Sequence, residues 1–227
     1  MLKSINLSWI YNDEEIDLVV LDICGLEDLY LNLHPRAKNI IVTDAASNSL
    51  KDFLAAKAAN KLPTKIVGDM NHITQETKQF FSGVQQICDP DQCTTDCEKS
   101  LCFASDERPV IILGDLAGRM DQSFYMLSII FEEKFANKNL FIYNKENLAL
   151  PIRKGLNKVS LIKGENFRHF GLFPVQGNTK LSTEGFKWNL SNIESEFGGL
   201  ISVRNGAIEN DLLIECDKAI LLTCSKQ

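Results

Sequence analysis

The chain has 227 residues, 44% of them hydrophobic, which is enough to bury one large core or two modest ones and excludes a disordered protein. Its formal charge of -6 argues against a general nucleic-acid or membrane-surface binder, because affinity for phosphate backbones and anionic headgroups comes from clustered Lys and Arg. The opening MLKSINLSWIYNDEEID carries no long apolar run, no later stretch approaches ~18 uninterrupted apolar residues, and the seven cysteines sit in core-like segments, so a soluble cytoplasmic protein with free thiols is expected.

Short apolar runs alternate with longer segments of helical period over the first two thirds of the chain. The strand candidates, in order, are IDLVVLDI (16–23), NIIVTD (39–44), KIVGD (65–69), QQICD (85–89), PVIILGD (109–115) and NLFIYN (139–144). Thr95 followed by Glu98 reads as a capping box, which starts a helix with Asp96 in its first turn. Cys88, Cys93, Cys97 and Cys102 lack the paired CxxC spacing of a structural zinc site and read as thiols. The clearest helix runs from Arg119 to Phe135, where Met120, Phe124, Leu127, Phe131 and Phe135 recur at three- and four-residue spacing and read as a core stripe.

After about residue 148 the pattern changes to short alternating runs broken by Gly, Asn and Lys: KVSLIKG, RHFGLFPV, TKLSTEGFKWNL, GLISVRN and DLLIECDKAILLTC. The expected architecture is therefore an α/β domain over residues 1–147, Rossmann-like with a mainly parallel sheet and flanking helices. An all-β domain, a small sandwich or barrel, follows over 148–227.

Four of the proposed strands end in an acid: Asp44, Asp69, Asp89 with Asp91 just after it, and Asp115. In an open α/β sheet these carboxylates converge beyond the strands' carboxyl ends, where ligands bind. Converging carboxylates repel unless a cation sits among them, and hard oxygen donors favour Mg²⁺ with substrate phosphates completing its shell. Each acid taken singly also suits a strand-end turn. Neither a GxxxxGK[ST] loop nor a GxGxxG turn is present, so neither a P-loop kinase nor a dinucleotide dehydrogenase is supported.

TDAASNSL (43–50), IVGDMNHI (66–73), DPDQCTTDCEKSL (89–101), LGDLAGRMDQ (113–122), GLFPVQGNTKLSTEGFKWNL (171–190) and FGGLISVRN (197–205) resemble, in order, the motifs of the thiamine pyrophosphokinases. The last two are the most specific and resemble the eukaryotic branch. The resemblance implies transfer of diphosphate from ATP to thiamine, a C-terminal β-sandwich, Mg²⁺, and a homodimer with active sites at the subunit interface. By position, Asp44 matches the Asp of a DGGAN element and Asp69 the first Asp of GDxDS. Asp91, Gln92, Thr95 and Asp96 match DQDxTD, and Arg119 and Asp121 match GGRxD. Asp69, Asp91 and Asp96 are the implied Mg²⁺ ligands, and Arg119 and Asp121 complete the implied catalytic set. Asp44, Gln92 and Thr95, with Ser182, Thr183, Trp188 and Asn189 of the β domain, are the implied binding residues for the nucleotide and thiamine.

The sequence departs from those motifs at Ala45 and Ala46, which stand for two glycines, at Asn71 for the second Asp of GDxDS, at His72 for its Ser, and at Cys93 for an Asp. Two readings stay open on these residues: a working diphosphotransferase with a rearranged metal site, and a silent relative that binds thiamine or nucleotide.

Overall fold

In the computed structural model the residues described are 2–10, 12–114, 119–144, 146–162 and 167–226. By internal packing the chain divides into Glu15–Lys145 and a second unit made of Met1–Glu14 with Glu146–Gln227. Residues 1–14 stand with the C-terminal part because their strand, β1 (Lys3–Asn6), pairs parallel with β9 (Gly155–Ser160).

Six parallel strands form the sheet of the first unit: β2 (Ile16–Val20), β3 (Ala37–Thr43), β4 (Lys65–Gly68), β5 (Gln85–Cys88), β6 (Pro109–Leu113) and β7 (Asn139–Tyr143). They run in the order β7-β6-β2-β3-β4-β5. Every residue of β2 and β6 is buried, which is why these strands read as continuous apolar runs without alternation. The helices are α1 (Glu27–Leu33), α2 (Asp44–Lys57), α3 (Gln75–Phe80), α4 (Asp96–Leu101) and α5 (Met120–Ile129).

Buried inside β2 is one charge, Asp17, which accepts from Arg108 Nε at 2.8 Å, Asn39 Nδ2 at 2.9 Å and the Ser105 backbone N at 2.7 Å. Burial alone would raise this carboxyl's pKa, but the bonds from Arg108, Asn39 and Ser105 outweigh it and hold it below the ordinary value.

The expected helix over 119–135 is shorter than its apolar period. It stops at Ile129, and a separate 3₁₀ turn covers Glu133–Phe135. The core stripe also needs correction. Met126, Ile129 and Ile130 are buried, whereas Met120 is 73% exposed and Phe124 66%. Phe124 lies two residues before Met126, hence about 200° round the helix. The segment is apolar on both sides, and periodicity cannot say which side the chain itself covers.

Eight further strands complete the second unit: β8 (Asn147–Ile152), the β9 already given, β10 (Phe167–Phe173), β11 (Thr179–Glu184), β12 (Ile193–Ser195), β13 (Ser202–Asn205), β14 (Asp211–Cys216) and β15 (Ile220–Lys226). One antiparallel set runs β13-β10-β15-β8 and the other sheet runs β1-β9-β14-β11-β12. Alternation is clean in the second sheet: Thr179, Leu181 and Thr183 of β11 and Leu212, Ile214 and Cys216 of β14 are buried, their neighbours less so. Phe170 of one sheet meets Phe186, at the end of the other, edge to face at 5.7 Å between centroids. All seven cysteines are thiols.

Candidate active site

Thr43 pairs with Val67, so β3 and β4 end side by side and the residues that follow them meet at one rim. Asp44, the first residue of α2, is fully buried. Its Oδ1 accepts from Ala45 N at 2.6 Å and its Oδ2 from His72 N at 3.3 Å. The space for this carboxylate is made by Gly68, where an added Cβ would stand 2.8 Å from Asp44 Cγ.

Asp69 opens a tight loop in which Met70 adopts φ +63°, a left-handed conformation uncommon outside glycine. The turn aims both the backbone N and the Nδ2 of Asn71 at the Asp69 carboxylate, at 2.9 Å each, and Gln92 Nε2 adds a third donor at 3.0 Å. Those bonds, from Gln92 first and then Asn71, hold the Asp69 carboxyl at about 2, so it is ionised throughout the physiological range.

Asp96 arrives from α4. Thr95 caps that helix by accepting from Glu98 N at 3.4 Å. The capping box is half made, because the Glu98 carboxylate is engaged by Tyr125 Oη at 3.1 Å and by Lys134 Nζ. Burial, then the charge of Asp44 and a hydrogen bond with it, push the Asp96 carboxyl up to about 6, with Asp69 adding to the effect and Lys99 opposing it. Asp44, Asp69 and Asp96 thus form one carboxylate cluster in which like charge is already limiting. Lys99 is the nearby cation: its buried Nζ lies 3.8 Å from Asp96 Oδ1 and donates to Asp89 O at 2.8 Å.

Two acids of the same loop are engaged locally. Asp89 Oδ1 accepts from Asp91 N at 3.0 Å, which is the strand-end turn role. Asp91 is exposed and accepts from Cys93 N at 2.9 Å and Thr94 Oγ1 at 3.1 Å, which lowers its pKa. Arg119, just before α5, forks onto Asp121 through Nε at 3.1 Å and a terminal nitrogen at 2.5 Å. Asp115 lies outside the described residues.

Sequence reasoning missed Lys99, whose signal was its place three residues after Asp96 on one helix, and missed His72 as a donor. One ligand atom from each of Asp44, Asp69 and His72 falls within 4.8 Å of the others.

In the second unit, Thr183 ties the loop after β11: its N donates to Leu190 O, and its Oγ1 accepts from Leu190 N, both at 2.9 Å. Ser182 Oγ accepts from Asn192 N at 3.0 Å, and Asn189 Oδ1 accepts from Phe186 N at 3.1 Å. Gly185 sits at φ +88°, where a Cβ would press on Asp211 O at 2.6 Å, so the Gly of STEGFKWNL is a backbone requirement. Asn205 holds Trp188 by accepting from its N at 3.2 Å and donating to its O at 2.8 Å. The indole is 57% exposed, with Lys187 Nζ 4.7 Å from the ring centroid. Trp188 is therefore a presented surface ring, whereas Trp9 is wholly buried.

Comparison with known proteins places both units. The family model described as thiamin pyrophosphokinase, catalytic domain, matches residues 30–142, and the one described as thiamin pyrophosphokinase, vitamin B1 binding domain, matches 157–221. The chain is 26% identical over 215 residues to thiamine pyrophosphokinase 1 of Oryza sativa subsp. japonica, covering 85% of this chain and 81% of that protein. It is 30% identical over 179 residues to thiamine pyrophosphokinase 2 of the same organism, covering 72% and 66%. In fold it is similar to the thiamin pyrophosphokinase from Candida albicans, with a TM-score of 0.84, 19% identity, and coverage of 100% of this chain and 93% of that one.

Proposed function

The chain belongs to the thiamin pyrophosphokinase family, and we infer that it transfers diphosphate from ATP to the hydroxyl of thiamine, giving thiamine diphosphate and AMP. The observation that carries this reading is the Asp44, Asp69 and Asp96 cluster at the sheet rim, inside the span matched by the catalytic family model. In the reaction the thiamine hydroxyl oxygen bonds to the β-phosphorus and gives up its proton to solvent, while the bond from that phosphorus to the α,β-bridging oxygen breaks and AMP leaves with the electron pair.

The donor set fits a hard divalent cation. It is oxygen-rich, one member is ionised at any working pH, and another is held protonated up to about 6 by burial first and then by the charge of Asp44. Asp69, Asp91 and Asp96 would hold Mg²⁺, with Asp44 beside them. When bound, the cation neutralises charge on the polyphosphate. Asn71 and Gln92 orient Asp69, and Lys99 offsets charge at Asp96. Arg119, exposed and forked, can exchange Asp121 for phosphate oxygens of the same geometry. Trp188 already accepts a cation over its ring, which is the contact a thiazolium would make.

The homodimer belongs to the same proposal. Its support is the apolar surface each unit leaves exposed, Met120 and Phe124 on α5 and Phe197, Val203 and Ile208 in the β-rich unit. A cytoplasmic location is supported by the seven thiols. Among the described residues no helix is long and apolar enough to cross a membrane, and none of their features favours a silent thiamine- or nucleotide-binding relative.

The test is to incubate the protein with ATP, Mg²⁺ and thiamine and follow AMP and thiamine diphosphate together. Stoichiometric formation of both, lost in Asp69→Asn, is expected. Full activity in that variant would refute the metal assignment, and a folded, thiamine-binding protein that forms neither product would refute transfer.

A further inference from the structure

The loop after β4 no longer offers two carboxylates, and the side chains that replaced the usual pair do different things. Asn71 turns its amide nitrogen toward Asp69 Oδ2, so it serves as a donor to that ligand and adds no charge. His72 points elsewhere: its Nδ1 lies 4.0 Å from Asp44 Oδ2. That separation is too long for a hydrogen bond and close to roughly 4.2 Å, twice the ~2.1 Å bond of a small divalent cation.

The backbone holding the ring is pinned. His72 N donates to Asp44 Oδ2 at 3.3 Å, and His72 O accepts from Asn48 Nδ2 at 2.7 Å. Asn48 Oδ1 accepts in turn from Thr74 N at 3.0 Å, so α2 grips the loop on both sides of the histidine. A donor atom of His72 is thereby kept within 4.8 Å of donor atoms of Asp44 and Asp69.

We propose that His72 is a nitrogen ligand of this cation site, so that the site takes a first-row transition cation such as Mn²⁺ or Co²⁺ in preference to Mg²⁺. The inference rests on the reading that the carboxylate cluster holds a cation. An imidazole suits borderline cations and is a poor ligand for Mg²⁺, which prefers oxygen. An imidazole beside the two carboxylates at the rim therefore changes which metal is retained.

The experiment adds Mn²⁺ alone to the chelator-stripped full chain and measures electron spin-echo modulation from ¹⁴N, with Mn²⁺ and Mg²⁺ affinities measured in parallel. The expected result is imidazole ¹⁴N modulation and tighter Mn²⁺ than Mg²⁺ binding in the native protein. In His72→Ser the modulation should vanish and Mn²⁺ affinity fall at least about tenfold, since removing groups that merely orient a ligand already costs about 10–100-fold. Mn²⁺ bound without ¹⁴N modulation, modulation that persists in His72→Ser, or Mg²⁺ bound as tightly as Mn²⁺ would overturn the proposal. Thiamine diphosphate formation with Mg²⁺ in the same preparation separates the two ideas: transfer without the nitrogen signal overturns only the ligand, and the signal without transfer overturns only the reaction.

Discussion

Replacing Asp96 by Asn should make the metal-free protein more stable and abolish its activity, and the size of the first effect follows from the burial and crowding of this carboxyl at the rim. Asp96 ionises at about 6 in the folded chain against a reference value of 3.8. Because the folded value is raised, the folded state keeps a proton that the unfolded state releases, and stability falls as pH rises through the window from about 4 to 6. The difference between the two values corresponds to at most about 3 kcal/mol at 1.36 kcal/mol per unit, fully expressed above pH 6. Asn cannot ionise, yet its amide can still donate toward Asp44 as the protonated acid does. Denaturant unfolding in EDTA should therefore show an Asp96→Asn advantage that is small at pH 4 and reaches about 1–3 kcal/mol by pH 7, a rise of several degrees in midpoint for a chain of this size. Other acids cancel in the difference between the two proteins. A variant no more stable than the native chain at pH 7, or one with the same advantage at pH 4, would refute the account of Asp96.

Gly68→Ala places a methyl 2.8 Å from Asp44 Cγ, against a side chain with no room to retreat. It should cost about 1–3 kcal/mol of stability by overpacking, with a loss of turnover larger than that of an Ala substitution at exposed Gly83. Asp17→Asn leaves the Arg108 guanidinium without its buried partner and should destabilise by roughly 3 kcal/mol, the low end for a broken buried pair, as read by chemical denaturation. In the native chain the lowered pKa of Asp17 means its contribution is present above pH 4 and is lost as pH falls through the folded value, so the variant should show a shallower acid decline. Trp188→Ala removes an exposed ring and should leave the unfolding midpoint unchanged while raising KM for thiamine by roughly tenfold. An unchanged KM would remove Trp188 from the binding surface.

The sheet of the first unit was legible because fully buried parallel strands leave continuous apolar runs, and each expected strand is present, shorter at its end by one to three residues. At three of those ends, Asp44, Asp69 and Asp89, what was lost is the strand-terminal acid itself, which leaves the sheet to enter a helix or a turn. The strand-end rule placed Asp44 and Asp69 in one neighbourhood, whereas the capping signal gave Asp96 only its place in a helix's first turn and the family resemblance alone brought it to the site. Partners set by tertiary approach were not readable. Nothing local says that Glu98 will be taken by Tyr125 and Lys134 instead of completing its capping box, or that Gly68 is small on account of Asp44. The first strand escaped notice for a related reason: four mostly exposed residues carry no periodic signal, and its partner β9 is some 150 residues away in sequence.

The departures at residues 71 and 93 look like losses when motifs are compared, yet in the folded site both positions stabilise the acids that remain. Asn71 gives Asp69 two hydrogen bonds, and the backbone of residue 93 gives one to Asp91, so each neighbouring carboxyl is held in its ionised form. A carboxylate at 71 would instead add a like charge beside Asp69. At 4 Å and an effective dielectric near 20, such a charge is worth about 4 kcal/mol of repulsion before screening. Burial and the charge of Asp44 already keep Asp96 protonated up to about 6, and further repulsion would push that value toward neutrality. With Asn at 71 the cluster carries less charge at physiological pH and keeps more of it available to a cation.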